Sequence, residues 1–256
     1  MIYVRRNLIG DNLRKEVVGL IDSSNFFGKG AFETILVNKK CVFLEEHLLR
    51  LREACSLLNI DFNITLDEVE NFIIEENIEN KALKITVTEK NVIFSIREVP
   101  YKEEDYEKGF SVGVSEVLRN STSRLTYIKS TCYIENILEK NLFKERGISE
   151  PIFLNERNEL TEGATTNIFF IKDNIIYTPR VSSGLLDGII RKWIMKNFDV
   201  IEGSFSLEDL KTSDGAFLSN SLIGIMKITS IEHKVFKEHE LIDRIRKEYE
   251  HSIKEF

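Results

Sequence analysis

Apolar residues recur along this chain with two distinct periods. Residues 31–37 (Ala-Phe-Glu-Thr-Ile-Leu-Val) and 41–44 (Cys-Val-Phe-Leu) flank Asn38-Lys-Lys40, which predicts a hairpin. From His47 to Leu58 the apolar positions fall at Leu48, Leu51, Cys55 and Leu58, the three- and four-residue intervals of an amphipathic helix. A second helix is expected at about 66–76. Strands at 82–88 and 92–99 follow, joined by the short turn Glu89-Lys90-Asn91.

Prolines stand only at 100, 151 and 179, so regular elements run with few rigid breaks. Pro100 and the charged run Lys102-Glu-Glu-Asp-Tyr-Glu107 end the first unit of strands and helices. After a strand near 110–117, the polar Arg119-Asn-Ser-Thr-Ser-Arg124 reads as a crossing between domains. The expected organisation is a small domain over 1–117, a linker over 118–124 and a large domain over 125–256. In the large domain a helix is predicted at 130–146, ending at Gly147. Strands follow at 151–154, 166–171 and 174–177, and a helix starts near Gly188. Strands at 216–218 and 225–231 and a charged terminal helix at 238–254 complete it. Hairpins alternating with helices in two halves predict an α+β fold with mixed or antiparallel sheets.

Composition narrows the function classes. The 256 residues are enough for one large domain or two small ones. A net charge of −7 offers no global attraction for nucleic acid or an acidic membrane surface. An anionic small molecule would need local positive groups. No stretch reaches transmembrane length, and the Met1-Ile-Tyr-Val-Arg start lacks the apolar core of a signal peptide. Cys41, Cys55 and Cys132 are too sparse for a disulfide framework and read as reduced cytoplasmic thiols. The four histidines are scattered, so no metal site is expected. A Gly-x-Gly-x-x-Gly or P-loop after a strand is lacking, which leaves dinucleotide and nucleoside-triphosphate readings without an anchor.

Candidate chemistry lies in four places. Lys129, in Thr126-Tyr-Ile-Lys-Ser-Thr-Cys-Tyr-Ile134, has apolar and hydroxyl neighbours just before a helix. Desolvation there would favour the free amine, a nucleophile, although most lysines are solvated surface charges. Ser182-Ser-Gly-Leu-Leu-Asp-Gly-Ile-Ile-Arg191 runs from a loop into a helix and suits a phosphate, or serves as a plain connection. Leu218-Ser-Asn-Ser-Leu222 offers hydroxyls and an amide at a strand end, the usual makings of a turn. Finally, Glu162 opens Thr161-Glu-Gly-Ala-Thr-Thr-Asn-Ile-Phe169 directly before an apolar strand, where an ordinary strand start needs no carboxylate.

Taken in order, Phe27-Gly-Lys-Gly-Ala-Phe-Glu-Thr34, His47-Leu-Leu-Arg-Leu51, Lys129, the Glu162 motif, Thr178-Pro179 and Leu186-Asp-Gly-Ile-Ile-Arg191 resemble the class IV pyridoxal-phosphate enzymes. The resemblance runs from about residue 20 to 228 and implies a two-domain fold like that of D-amino-acid aminotransferase, with the large domain binding the cofactor. It implies pyridoxal 5′-phosphate as cofactor, Lys129 as the Schiff-base lysine and Glu162 as the partner of the pyridine nitrogen. Arg50 matches the arginine that grips the phosphate. The backbone N–H groups of Ile189 and Ile190 and the Ser221 hydroxyl match the rest of the phosphate cup. A homodimer with its site between the two domains is implied as well. Departures are Lys29 between the two glycines, Cys132 where asparagine is frequent, Ile190 where threonine is common and Lys227 where a proline usually stands.

The family holds branched-chain and D-amino-acid aminotransferases and aminodeoxychorismate lyases. Thr88-Glu89-Lys90 replaces the Arg-Gly that D-amino-acid enzymes carry after the matching strand. Asn220-Ser221-Leu222 resembles the lyases more than the Gly-Thr-Ala of branched-chain enzymes. The resemblance therefore favours a lyase converting 4-amino-4-deoxychorismate to 4-aminobenzoate and pyruvate for folate synthesis. The alternative is an aminotransferase for branched-chain or D-amino acids. Lys84 and Asn220 are candidates for contacts to a small-molecule substrate, and Arg97 reads as a structural or surface arginine.

Overall fold

The computed structural model describes residues 1–6 and 19–256. They form two compact units, one of Met1–Pro100, Ile128–Tyr133 and Ile253–Phe256, the other of Tyr101–Tyr127 and Ile134–Ser252. Strands and helices are mixed in both, as the α+β expectation requires.

The first unit contains β1 (Ile2–Arg6), α1 (Ser23–Phe27), β2 (Gly30–Val37), α2 (Leu44–Leu57), α3 (Leu66–Glu75), β3 (Lys81–Thr88) and β4 (Asn91–Glu98). Its four-stranded sheet has the order β1-β4-β3-β2 and is antiparallel throughout. Alternation along β2 turns Ala31, Glu33, Ile35 and Val37 to one face, where all four are buried completely. Leu48, Leu51 and Cys55 of α2 and Val69, Phe72 and Ile73 of α3 pack with Ile35, Leu83, Ile85 and Phe94 in one core. Burial of each such aliphatic or aromatic side chain contributes about 1.5–3 kcal/mol.

Two local expectations fail here. Residues 41–44 form no hairpin arm: Cys41 makes one bridge to Val37, and α2 begins at Leu44. Leu44 continues the helical stripe of Leu48 and Leu51, so the period of 3.6 wins over the short apolar run. The helix expected over 130–146 starts at Ile134, because residues 129–131 hydrogen-bond along the edge of β2.

The second unit contains α4 (Glu103–Lys108), β5 (Phe110–Val114), α5 (Ile134–Glu145), β6 (Glu150–Leu154), β7 (Leu160–Gly163), β8 (Asn167–Lys172) and β9 (Ile175–Pro179). After α6 (Ile189–Asn197) come β10 (Val200–Gly203), α7 (Leu207–Lys211), β11 (Gly215–Asn220), β12 (Gly224–Ile231), β13 (Lys234–Val235) and α8 (Glu240–Ser252). The order β10-β9-β8-β11-β12-β5-β6-β7, with β7 also pairing β8, bends the mixed sheet into a closed ring. Ile152, Ile168, Phe170, Ala216, Leu218 and Met226 fill its core. The short, polar β7 and the short β10 carry too little alternation to be read from sequence.

The units divide at Pro100 and not in the polar run 118–124. β5 hydrogen-bonds between β12 and β6 and so belongs to the ring. Arg119, placed in the expected linker, is tied to the same unit by its N–H, which donates to Leu154 O at 2.8 Å. Cys41, Cys55 and Cys132 are free thiols, and burial pushes the first two up to about 12.

Candidate active site

In the first unit, residues Lys129–Thr131 run along β2 like a short extra strand. Phe32 N donates to Lys129 O and Thr131 N donates to Gly30 O, both at 2.9 Å, around a bridge between Ala31 and Ser130. Gly30 suits this approach, since an added Cβ would sit 3.0 Å from Thr131 Oγ1 and 3.1 Å from Val87 O. Phe32 leaves β2 on the face opposite Glu33, and two lysine side chains meet its ring. Lys129 Nζ lies 4.7 Å and Lys84 Nζ 4.1 Å from the ring centroid. Tyr133, edge-on to Phe32 at 5.2 Å, lies 4.8 Å from Lys129 Nζ. Burial lowers the pKa of Lys84, and the charge of Arg97 adds to the shift.

Arg50 meets Glu33. Its Nε and Nη2 donate to the two carboxylate oxygens at 2.7 and 2.8 Å, and His47 Nδ1 lies 2.7 Å from Oε2. Burial alone would raise the Glu33 carboxyl, but the charges and hydrogen bonds of Arg50 and His47 hold it far below the usual carboxylate range.

In the second unit, Glu162 stands at the seam of the ring, where its pairing with Asn167 joins β7 to β8. Its carboxylate is nearly buried, accepts from Leu186 N at 3.0 Å and lies 3.3 Å from Arg119 Nε. Arg119 is fixed in turn, its guanidinium 3.8 Å from the Phe153 ring and its Nη1 3.3 Å from Asn136 Oδ1.

The small and hydroxyl residues after Glu162 make the tight turn that sets this seam. Thr165 donates to Glu150 Oε1 from N at 2.7 Å and from Oγ1 at 2.9 Å. Asn136 Nδ2 donates to Ala164 O at 2.6 Å, and Asn220 Nδ2 to Thr165 O at 3.0 Å. Gly163 leaves no room for a Cβ against Thr166 and Glu150.

Asn167 Nδ2 donates to Leu186 O at 2.8 Å and fixes the loop that enters α6. Gly188 precedes that helix with no side-chain cap, so the first-turn N–H groups have no capping side chain. The side chains of Ile189 and Ile190 are buried, which leaves backbone donors as their offering at this end. Ser219, opposite Asn167 in the β8–β11 pairing, therefore lies on the same side of the sheet; its hydroxyl is buried without a hydrogen-bond partner. Asn220 Oδ1 accepts from Leu222 N and Ile223 N at 2.8 and 2.9 Å, shaping the turn that carries Ser221. The amide of Asn220 is thus engaged structurally at both ends, which is the turn reading of this segment.

A family model for amino-transferase class IV matches residues 30–231. This chain belongs to that family. It is 27% identical over 256 residues to the aminodeoxychorismate lyase of Bacillus subtilis, covering 91% of this chain and 87% of that protein. It is 26% identical to a putative branched-chain-amino-acid aminotransferase of Methanocaldococcus jannaschii, covering 91% and 88%. Among solved structures, a putative 4-amino-4-deoxychorismate lyase of Legionella pneumophila superposes with a TM-score of 0.83 at 27% identity, covering 91% of this chain and 94% of that one.

This class IV enzyme is pyridoxal-phosphate-dependent, as its family is, and its residues fit the cofactor. The uncapped start of α6 suits a phosphate. The buried Glu162 carboxylate suits a protonated ring nitrogen, and Lys129 supplies an amine beside aromatic rings. The departures from the family pattern are absorbed locally: Lys29 pairs with Glu89, Lys227 pairs with Glu238 at 3.0 Å, and exposed Cys132 packs over Gly28. Among the described residues no helix is long and apolar enough to cross a membrane, and no His/Cys/Asp/Glu group could hold a metal.

Glu33 and Arg119 had no role assigned from the sequence, whereas Asn167 and Ser219 fall inside the Glu162 motif and the hydroxyl-bearing 218–222 step. Glu33 had a legible signal, a carboxylate in phase with Ala31, Ile35 and Val37 on the buried face of a strand. Arg119 had none, because its polar neighbours read as linker.

Proposed function

We propose that this class IV enzyme is an aminodeoxychorismate lyase, releasing 4-aminobenzoate and pyruvate from 4-amino-4-deoxychorismate. The observation that carries the reading is the pair of cations, Lys84 and Arg97, beside the Phe32 ring that Lys129 also overlies: Lys84 lies over the ring, and Arg97 lies close enough to depress the Lys84 ammonium. A substrate with two carboxylates suits such a pair, whereas an aliphatic amino acid carries one carboxylate and an apolar side chain. The likeness to the lyase of B. subtilis supports the same reading.

In this reading Lys129 holds the cofactor. Arg50, the Ile189 and Ile190 N–H groups and Ser221 grip the cofactor phosphate, and Glu162 keeps the ring nitrogen protonated. When bound, pyridoxal phosphate supplies an electron sink for the substrate carbon that bears nitrogen. Lys129, displaced by the substrate amine, takes the proton from that carbon. Loss of the enolpyruvyl group as pyruvate then leaves an aromatic ring, and aromatisation drives the step. Substrate and products balance without water or an amino acceptor. Lys84 and Arg97 orient the carboxylates.

The decisive experiment incubates the holoenzyme with 4-amino-4-deoxychorismate and follows 4-aminobenzoate by fluorescence and pyruvate by a coupled dehydrogenase. Equimolar products, abolished in Lys129→Ala, are expected. Rapid amino transfer from a branched-chain or D-amino acid to a 2-oxo acid, with no 4-aminobenzoate formed, would replace this reading with the aminotransferase that the M. jannaschii relative suggests.

The same reading includes a symmetric homodimer in the cytoplasm. Its support is α5, where Ile134, Ile137, Leu138 and Leu142 recur at helical spacing and stay exposed, Ile134 at 67% and Leu138 at 59%.

A further inference from the structure

We infer that Glu33 is the positioning residue for Arg50: the carboxylate fixes the guanidinium in the orientation that receives the cofactor phosphate. The inference rests on the phosphate-binding role proposed above for Arg50.

Glu33 is fully buried on the apolar face of β2, between Ala31 and Ile35. A carboxylate there is costly unless paired, and even a paired one is often no better for stability than apolar residues of equal volume. Stability alone therefore gives little reason for a charge at this position, whereas orientation gives a direct one. His47 and Arg50 are three residues apart on α2 and so project from one side of the helix toward β2. Arg50 approaches side-on, with Nε and Nη2 each on one carboxylate oxygen. Two parallel bonds to a planar fork fix both the position and the plane of the guanidinium, and its planar geometry turns Nη1 away from Glu33. His47, itself 1% exposed, holds Oε2 from a second direction at 2.7 Å and keeps the carboxylate from rotating. A long, flexible side chain is thereby ordered before any ligand arrives, and that entropy is not lost again on binding.

The test compares two ligands that differ only in the phosphate. Apoprotein of wild type, Glu33→Gln, Arg50→Met and the double variant is titrated with pyridoxal phosphate and with pyridoxal, following visible absorbance. Glu33→Gln is expected to raise the Kd for pyridoxal phosphate by about tenfold, the scale of one charge-assisted hydrogen bond, while the Kd for pyridoxal changes by less than about twofold. The double variant should bind pyridoxal phosphate no more weakly than Arg50→Met, since Glu33 acts only through Arg50. Equal losses for both ligands in Glu33→Gln, or none, overturn the inference while Arg50→Met remains phosphate-selective. An Arg50→Met protein without phosphate-selective loss removes the role of Arg50 and the inference with it. If Glu33→Gln does not fold, Glu33→Asp, which keeps the charge but withdraws it by one methylene, must show the same phosphate-selective loss.

Discussion

Gly188 and Asn167 form a pair whose coupling can be measured. A Cβ on Gly188 would lie 3.2 Å from Asn167 Cγ and closer still to Oδ1. The Gly188 backbone, at φ −69° and ψ 145°, is open to alanine, so the clash is the whole difficulty. To relieve it the Asn167 amide must turn, and its bond to Leu186 O is lost. Overpacking costs about 1–3 kcal/mol and the lost hydrogen bond about 1 more, so Gly188→Ala should destabilise by about 2–4 kcal/mol. Asn167→Ala alone loses the bond without a clash, about 1–2 kcal/mol. With the amide gone, the alanine at 188 has room, so the double variant should match Asn167→Ala instead of summing the two losses. Thermal melting of the four apoproteins reads this at about 2 °C per kcal/mol for a chain of this size. A double variant that melts at the sum of the single losses would show that the two residues do not meet, and would sink the account of how the start of α6 is built.

Three further outcomes follow from the same geometry. Glu33→Gln breaks a buried ion pair and should cost about 3–5 kcal/mol at pH 7. The folded-state pKa of Glu33 lies far below its unfolded value of 4.5, so its contribution is fully present above that pH and lost progressively as the pH falls toward the folded-state value; the gap between wild type and variant in urea melts should begin to narrow below pH 4.5 and go on narrowing with each further step in acid. Gly28→Ala places a Cβ 2.6 Å from Cys132 Sγ on a backbone at φ +67°, and should cost about 1–3 kcal/mol by thermal melting, with Cys132→Ala restoring only the steric part. Leu138→Glu on the exposed face of α5 should turn the proposed dimer into a monomer by light scattering, with the unfolding of the monomer itself changed by less than about 0.5 kcal/mol; a variant that stays dimeric removes α5 from the interface.

Periodicity and local motif by themselves determined much of this protein. The stripe Leu48, Leu51, Cys55 gave α2, alternation gave β2, β3 and β4, and the run from Glu162 to Asn167 marked a carboxylate followed by small and hydroxyl residues directly before the apolar strand β8. These signals are legible because each lies within a few residues and depends on side-chain direction in a single element. Only the tertiary structure decided where that carboxylate sits, since the seam of the ring joins β7 and β8 while the partners of Glu162 come from Arg119 and Leu186. It also decided that β5 belongs to the second unit, that residues 129–131 lie along β2, and that Glu33 grips Arg50. Each of these rests on contacts between residues far apart in the chain, and a hydrogen bond or ion pair across such a gap leaves no periodic trace in either segment.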